Sequence, residues 1–165
     1  MARIFVTSRT DHAGRTTLFG RDVLGRVVSA TDPSGRTESY SYGAEDEVSR
    51  VAAGPLDVDF AHDAMGNLTQ AIDPNGRTWS WAWNTRSLAT SATDPLGRVT
   101  SFAYDVRDRV SQATYPGGLG NVQVTYDGVG NAIRRLHSDG VDIGYTLDAH
   151  GRLTARRRGP GSGRP

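Results

Sequence analysis

The chain has 165 residues with 19 basic and 18 acidic side chains, a net charge of +1 and no cysteine, which excludes disulfides, thiol nucleophiles and cysteine-bound zinc. The balanced charge argues against a general nucleic-acid binder, because such proteins concentrate positive charge on one face. No apolar run approaches the roughly 18 residues that a membrane-spanning helix needs, and 20 glycines beside 36% hydrophobic content suit a turn-dense β-protein.

Residues 1–10 are predicted to form a lead-in strand with Ile4-Phe5-Val6 as its apolar part. This N-terminus lacks the apolar stretch of about 7 to 15 residues that a secretory signal requires. The chain expressed alone is therefore expected in the cytoplasm, and any export would belong to a longer parent. Residues 11–154 alternate turn and strand signals, and residues 155–165, beginning Ala155-Arg156-Arg157-Arg158-Gly159-Pro160, lack the apolar residues of a strand and are expected to be a disordered basic tail.

The middle segment is a repeat. Asp94-Pro95-Leu96-Gly97 reads as a turn: Asp caps its own backbone, Pro sets φ at the second position, and Gly accepts the positive φ of the exit. Arg98 to Tyr104 then alternates as an extended segment, and a second turn follows at Asp105 to Asp108. The pair recurs with a period of about 21 residues. One turn type is anchored at Asp22, Gly43, Asp63, Asn84, Asp105, Asp127 and Asp148, and is well kept at Asp148-Ala149-His150-Gly151-Arg152-Leu153. The other is best kept at Asp32 to Gly35, Asp73 to Gly76 and Asp94 to Gly97. Asp32, Gly35, Asp73, Gly76, Asp94, Gly97, Asp148 and Gly151 are thus read as structural turn residues. Gly43 to Val48 lacks both the Asp and the Gly, Asn84 to Leu88 lacks the Gly, and near Ala53-Gly54-Pro55 the second turn is barely recognisable. Such degeneracy is ordinary drift in an array, or else marks a bend.

The strands leading into the first turn type carry an apolar face. Counting back one residue from each anchor gives Arg21, Tyr42, His62, Trp83, Tyr104, Tyr126 and Leu147, and counting back three gives Phe19, Tyr40, Phe60, Trp81, Phe102, Val124 and Tyr145. The opposite face is small and polar. The fold class expected is all-β, an antiparallel hairpin meander forming a coiled, open sheet.

These residues resemble the Rhs/YD-repeat family, whose unit is Tyr-Asp-x-x-Gly-Arg-Leu alternating with an Asp-Pro-x-Gly half. Tyr104-Asp105 and Tyr126-Asp127 supply the Tyr-Asp pair without the full ending; Asp148 to Leu153 supplies the ending behind Leu147. The resemblance spans roughly residues 11 to 154. It implies a spiralling sheet that, when long enough, closes into a shell, in large secreted or surface bacterial toxins whose variable C-terminal toxin the shell encloses. It also implies a link to carbohydrate binding. Neither a toxin domain nor the family's self-cleavage junction is recognisable here, and a complete shell takes many more repeats.

No catalytic constellation emerges. His12, His62, His137 and His150 sit at unrelated phases of the repeat, and none pairs with another at a metal-ligand spacing. The many Asp residues head turns and lie along sheet edges, whereas a glycosidase needs two carboxylates across one sugar. Gly117-Gly118-Leu119-Gly120-Asn121-Val122 is similar to a calcium-binding nonapeptide, but it occurs once with Asn at the acidic position, so a loose hairpin turn one residue longer is the better reading. No catalytic residue, metal or cofactor is assigned.

Two functions stand open. The first is a non-catalytic structural segment of the shell of a longer parent at the cell surface or secreted, with further repeats or an enclosed toxin as partners. The second is a carbohydrate-binding module using the aromatic face, Tyr40, Tyr42, Trp79, Trp81, Trp83, Phe102 and Tyr104. In either case the free first and last strands would invite self-association through open sheet edges.

Overall fold

The computed structural model describes residues 6–159, which contain no helix. Ile4 and Phe5 of the expected lead-in strand, and residues 160–165 of the expected tail, lie outside the described residues. The chain divides between Ser80 and Trp81 into two units. The first holds β1 (Ser8–Thr10), β2 (Thr16–Arg21), β3 (Val27–Thr31), β4 (Thr37–Tyr42), β5 (Val48–Ala53), β6 (Leu56–His62), β7 (Leu68–Ile72) and the start of β8 (Thr78–Trp83). The second holds the end of β8, then β9 (Ala89–Thr93), β10 (Val99–Tyr104), β11 (Val110–Thr114), β12 (Asn121–Tyr126), β13 (Ala132–His137), β14 (Asp142–Leu147) and β15 (Leu153–Arg158). Sheet order repeats chain order throughout, so every connection is a hairpin. The all-β antiparallel meander is therefore the observed fold.

Composition points to disorder from residue 155, yet β15 runs to Arg158. Its backbone is held by β14, with Tyr145 opposite Arg156 and Ile143 opposite Arg158, and ladder hydrogen bonds here outweigh an unfavourable composition.

The two turn types look different in sequence and close in the same way. In each, the Asp carbonyl accepts from the N–H three residues on and the Asp N–H donates to the carbonyl four residues on, as in Gly25 to Asp22 (2.9 Å) and Asp22 to Arg26 (3.0 Å), or Gly97 to Asp94 (2.9 Å) and Asp94 to Arg98 (3.1 Å). This is a type I turn followed by a residue at positive φ. Gly76 and Gly97 occupy that position at φ 76° and 75°. A Cβ on either would meet nothing within 4 Å, so a larger residue is opposed by backbone conformation rather than by a clash.

What differs is the register behind the turn. After the second type the ladder is regular, as in Thr31 opposite Thr37. After the first type it slips by one residue: Tyr42 faces Val48 but Ser41 faces Arg50, and Tyr104 faces Val110 but Ala103 faces Gln112. The same slip follows Gly20, Ala61, Thr125 and Thr146. Such a bulge bends the strand and increases its twist locally.

The turn near Ala53 tightens into a two-residue hairpin, with Ala53 opposite Leu56 and Gly54 at φ 60°. The Tyr115 to Gly120 turn closes one residue wider, by Tyr115 N–H to the Gly120 carbonyl (2.9 Å). Among the described residues each strand contacts only strands adjacent in chain order, and only Ala71 and Ile143 are buried. Each unit is one sheet layer without a second layer to close a core.

Candidate functional site

The most elaborate chemistry lies along the first-type turns. Each anchoring Asp uses one carboxylate oxygen to accept from two backbone N–H groups, at the second and fourth following residues; for Asp105 these are Arg107 (2.8 Å) and Arg109 (3.1 Å). The other oxygen accepts from the side chain that ends the turn: an Arg at Asp22, Asp105 and Asp148, with Arg109 Nε at 2.8 Å from Asp105, and an Asn amide at Asp63 and Asp127, with Asn67 Nδ2 at 2.9 Å and Asn131 Nδ2 at 3.0 Å. The Arg109 guanidinium, against the opposing effect of burial and with help from those backbone N–H groups, brings the Asp105 carboxyl down to about 2. At the second type of turn, Asp94 is lowered first by the Arg98 guanidinium and then by the Arg98 and Leu96 backbone N–H groups, again against burial. These carboxylates are committed to closing turns.

The Arg of the first-type turn then reaches the next repeat. The Arg26 guanidinium lies 4.5 Å from the ring centroid of Tyr42, and that of Arg109 lies 4.3 Å from the ring of Tyr126. The tyrosine hydroxyls donate backward to the carbonyl that opens the strand after the preceding turn: Tyr42 to Val27 (2.6 Å), Tyr104 to Ala89 (2.7 Å) and Tyr126 to Val110 (2.8 Å). Further rungs join successive turns. Arg26 Nη1 meets the Asp46 carboxylate at 2.6 Å, Arg86 pairs with Asp108, and Arg107 donates to the Gly128 carbonyl at 2.8 Å. Sequence reasoning placed the tyrosines on a face and the Asp residues in turns, but missed the Arg that links them. The available signal is an Arg closing one turn and a Tyr 16 or 17 residues later, as in Arg26 and Tyr42 or Arg109 and Tyr126.

The degenerate units keep the turn by other means. At Gly43 the closing hydrogen bond persists, Gly43 N–H to the Glu47 carbonyl at 2.8 Å. The carboxylate now comes from the far end of the loop: Glu47 Oε2 accepts from Glu45 N–H at 2.9 Å, and a Cβ on Gly43 would collide with this carboxylate. Asp46, Ser87 and Asp108 take the positive φ that glycine takes elsewhere, at 65°, 56° and 62°. Two of the three, Asp46 and Asp108, use their side chains for the rungs to Arg26 and Arg86.

The aromatic residues of the candidate binding face are all half-buried. Tyr40, Tyr42 and Trp79 belong to the first unit, and Trp81, Trp83, Phe102 and Tyr104 to the second. Tyr40 donates to Glu38 at 2.6 Å, and Arg77 lies 5.9 Å from the Trp79 ring. Two of the tyrosines, Tyr42 and Tyr104, spend their hydroxyls on backbone. Asp32, Asp73, Asp94 and Asp148 head turns with Gly35, Gly76, Gly97 and Gly151 at positive φ.

Of the histidines, His62 stands in the tyrosine column with its Nδ1 buried and unpartnered. Among the described residues no three His, Asp or Glu side chains are placed to hold a metal. The grooves between turns are open; one of about 690 Å³ is lined by Arg9, Asp11, Arg15, Thr17, Asp32, Pro33 and Ser34, and its Asp11 and Arg15 already pair at 2.7 Å.

This architecture recurs in known proteins. In the crystal structure of TcdB2-TccC3-TEV it is matched with a TM-score of 0.73 at 14% identity, over 88% of this chain and 9% of that one. TcdB2-TccC3 without its hypervariable C-terminal region gives 0.74 at 14% identity, over 90% and 9%. A mutant of the Photorhabdus luminescens Tc holotoxin pore gives 0.71 at 14% identity, over 87% and 9%. The chain thus spans under a tenth of the length of these neighbours. No curated protein sequence matches it. The family model described as RHS Repeat matches residues 6–37, 21–55 and 83–119, together more than half of the sequence. With its turns, tyrosine rungs and hairpin meander accounted for, the chain belongs to the RHS repeat family.

Proposed function

We propose that this array is a wall segment of a longer Rhs-type protein whose shell encloses or presents a secreted toxin polypeptide. The observation that carries the reading is the commitment of the charged groups: the anchoring Asp residues close turns, and the Arg and Tyr residues beside them join one repeat to the next. A segment built this way propagates a sheet and leaves its conspicuous polar groups little freedom for chemistry. The likeness to TcdB2-TccC3 structures over 9% of their length supports a part of a much larger assembly. In this reading the partners are further repeats and the enclosed polypeptide, and the parent is secreted or surface-bound.

The test is protection. The parent protein is purified with any polypeptide that accompanies it, and limited proteolysis is followed by mass spectrometry with the array intact and with residues 11–154 deleted. The reading expects a polypeptide that resists protease only when the array is present. Equal sensitivity in both forms would overturn it. Saturable quenching of Trp fluorescence by a surface glycan, lost in Trp81→Ala, would establish the carbohydrate-binding alternative instead.

A further inference from the structure

We propose that neighbouring first-type turns recognise each other through one pair of positions, the residue that closes a turn and the fourth residue of the next, and that Arg109 presents a carboxylate-binding group at this pair. The partner it fits is a following turn with an acid at its fourth position. The turn that follows in this chain, Asp127 to Asn131, carries Gly130 there.

The pair recurs along the turns. Arg26 closes its turn, and its Nη1 meets Asp46, fourth in the next turn, at 2.6 Å. A Cβ on Gly130 would lie 3.7 Å from Arg109 Nη1, and one on Gly151 would lie 3.4 Å from Oδ1 of Asn131, which closes the turn before it. The fourth residue thus faces the closing side chain of the preceding turn. It also has positive φ, 65° at Asp46, 105° at Gly130 and 75° at Gly151. Gly, Asn and Asp take that conformation at least cost, so the main choice left at this position is between a carboxylate and none.

Arg26 and Arg109 otherwise make the same joint. Each gives Nε to the Asp of its own turn, at 2.7 and 2.8 Å, and each lies over the tyrosine of the next repeat. They differ at Nη1. That of Arg26 is answered by Asp46, whereas that of Arg109 is buried and has no hydrogen-bond partner among the described residues. A buried donor left unpaired carries a desolvation cost that a carboxylate would offset. Asp108, the other acid at a fourth position, is answered by another route: the turn before it closes with Leu88, which cannot pair, and Arg86 of that turn supplies the guanidinium. The inference rests on joints inside the array and holds whatever the wall encloses, so its failure leaves the wall reading untouched.

The test is a set of double-mutant cycles on the whole chain, read by urea unfolding. Asp and Asn at position 130 share the cost of positive φ and differ in charge. Gly130→Asp should fold with an equilibrium constant about fivefold larger than Gly130→Asn, as a well-placed ion pair gives. That difference should vanish when each is combined with Arg109→Met. At Gly151, which faces the uncharged Asn131, the Asp and Asn variants should be alike. The native rung runs the test in reverse: Asp46→Asn should lower the constant by a similar factor, and should not do so in an Arg26→Met background. Equal Asp and Asn variants at position 130, an Asp advantage that persists without Arg109, the same advantage at Gly151, or no coupling between Arg26 and Asp46 would each overturn the proposal.

Discussion

The two edges of the sheet are built from the same turn and do different work. At second-type turns the closing Arg pairs with its own Asp and stays mostly in solvent: Arg15, Arg77 and Arg98 have side chains 70%, 61% and 62% exposed, even though the Trp79 ring stands 5.9 Å from Arg77. At first-type turns Arg26 and Arg109 are 27% and 26% exposed because a tyrosine of the next repeat lies over them. Arg152, with no tyrosine ring over it among the described residues, is 77% exposed. The local motif is therefore only half of the device. The bulge and the tyrosine one repeat later convert a surface ion pair into a joint between repeats, while at the other edge the closing Arg stays with its own turn.

The largest expected effect comes from removing that joint. Tyr126→Ala loses a half-buried ring, the hydrogen bond to Val110 and the Arg109 stack, and should cost about 2 to 3 kcal/mol in urea unfolding followed by circular dichroism. Loss no greater than that of a surface substitution would break the contrast between edges. Next is the second-type edge: Gly97→Val at φ 75° should cost about 1 to 2 kcal/mol through backbone conformation, and Gly97→Asn clearly less, since Asn visits positive φ more readily.

A gain of about 1 kcal/mol is expected from Ser87→Gly, which relieves a positive φ without losing a rung. Asp108→Gly should gain less, because it also gives up the pair with Arg86. Equal gains would mean that this rung contributes nothing. The smallest expected effect is titration. The Asp105 carboxyl is depressed to about 2, below its unfolded value near 4, so its contribution is present above about pH 4 and fades as pH falls towards 2. Arg109→Ala should shallow that acid dependence, and Arg98→Ala should change thermal stability within error.

The meander was legible because turns demand particular residues. Asp94, Pro95 and Gly97 each serve a different backbone requirement, and Phe102 and Tyr104 alternate with Ser101 and Ala103 as a half-buried strand must. The joint was not legible, because the partners Arg109 and Tyr126 lie most of a repeat apart and meet only through strand register and a bulge. The Gly43 turn was placed by the period alone; what replaces its missing Asp was not legible, because the carboxylate of Glu47 fills the same place from the other end. The triple arginine of β15 read as a tail because composition reports solvation and says nothing of a neighbouring strand that offers its ladder.

That each described strand touches only its neighbours in the chain has a consequence for how the protein is made. Contacts separated by about one hairpin close small loops, so the entropic barrier to each addition stays low and the topology favours fast folding despite being all-β. Strands can therefore pair in the order in which they leave the ribosome, each completed hairpin offering the template for the next. An array of this kind can gain or lose a repeat without a new folding problem, and its length becomes a quantity that selection can adjust.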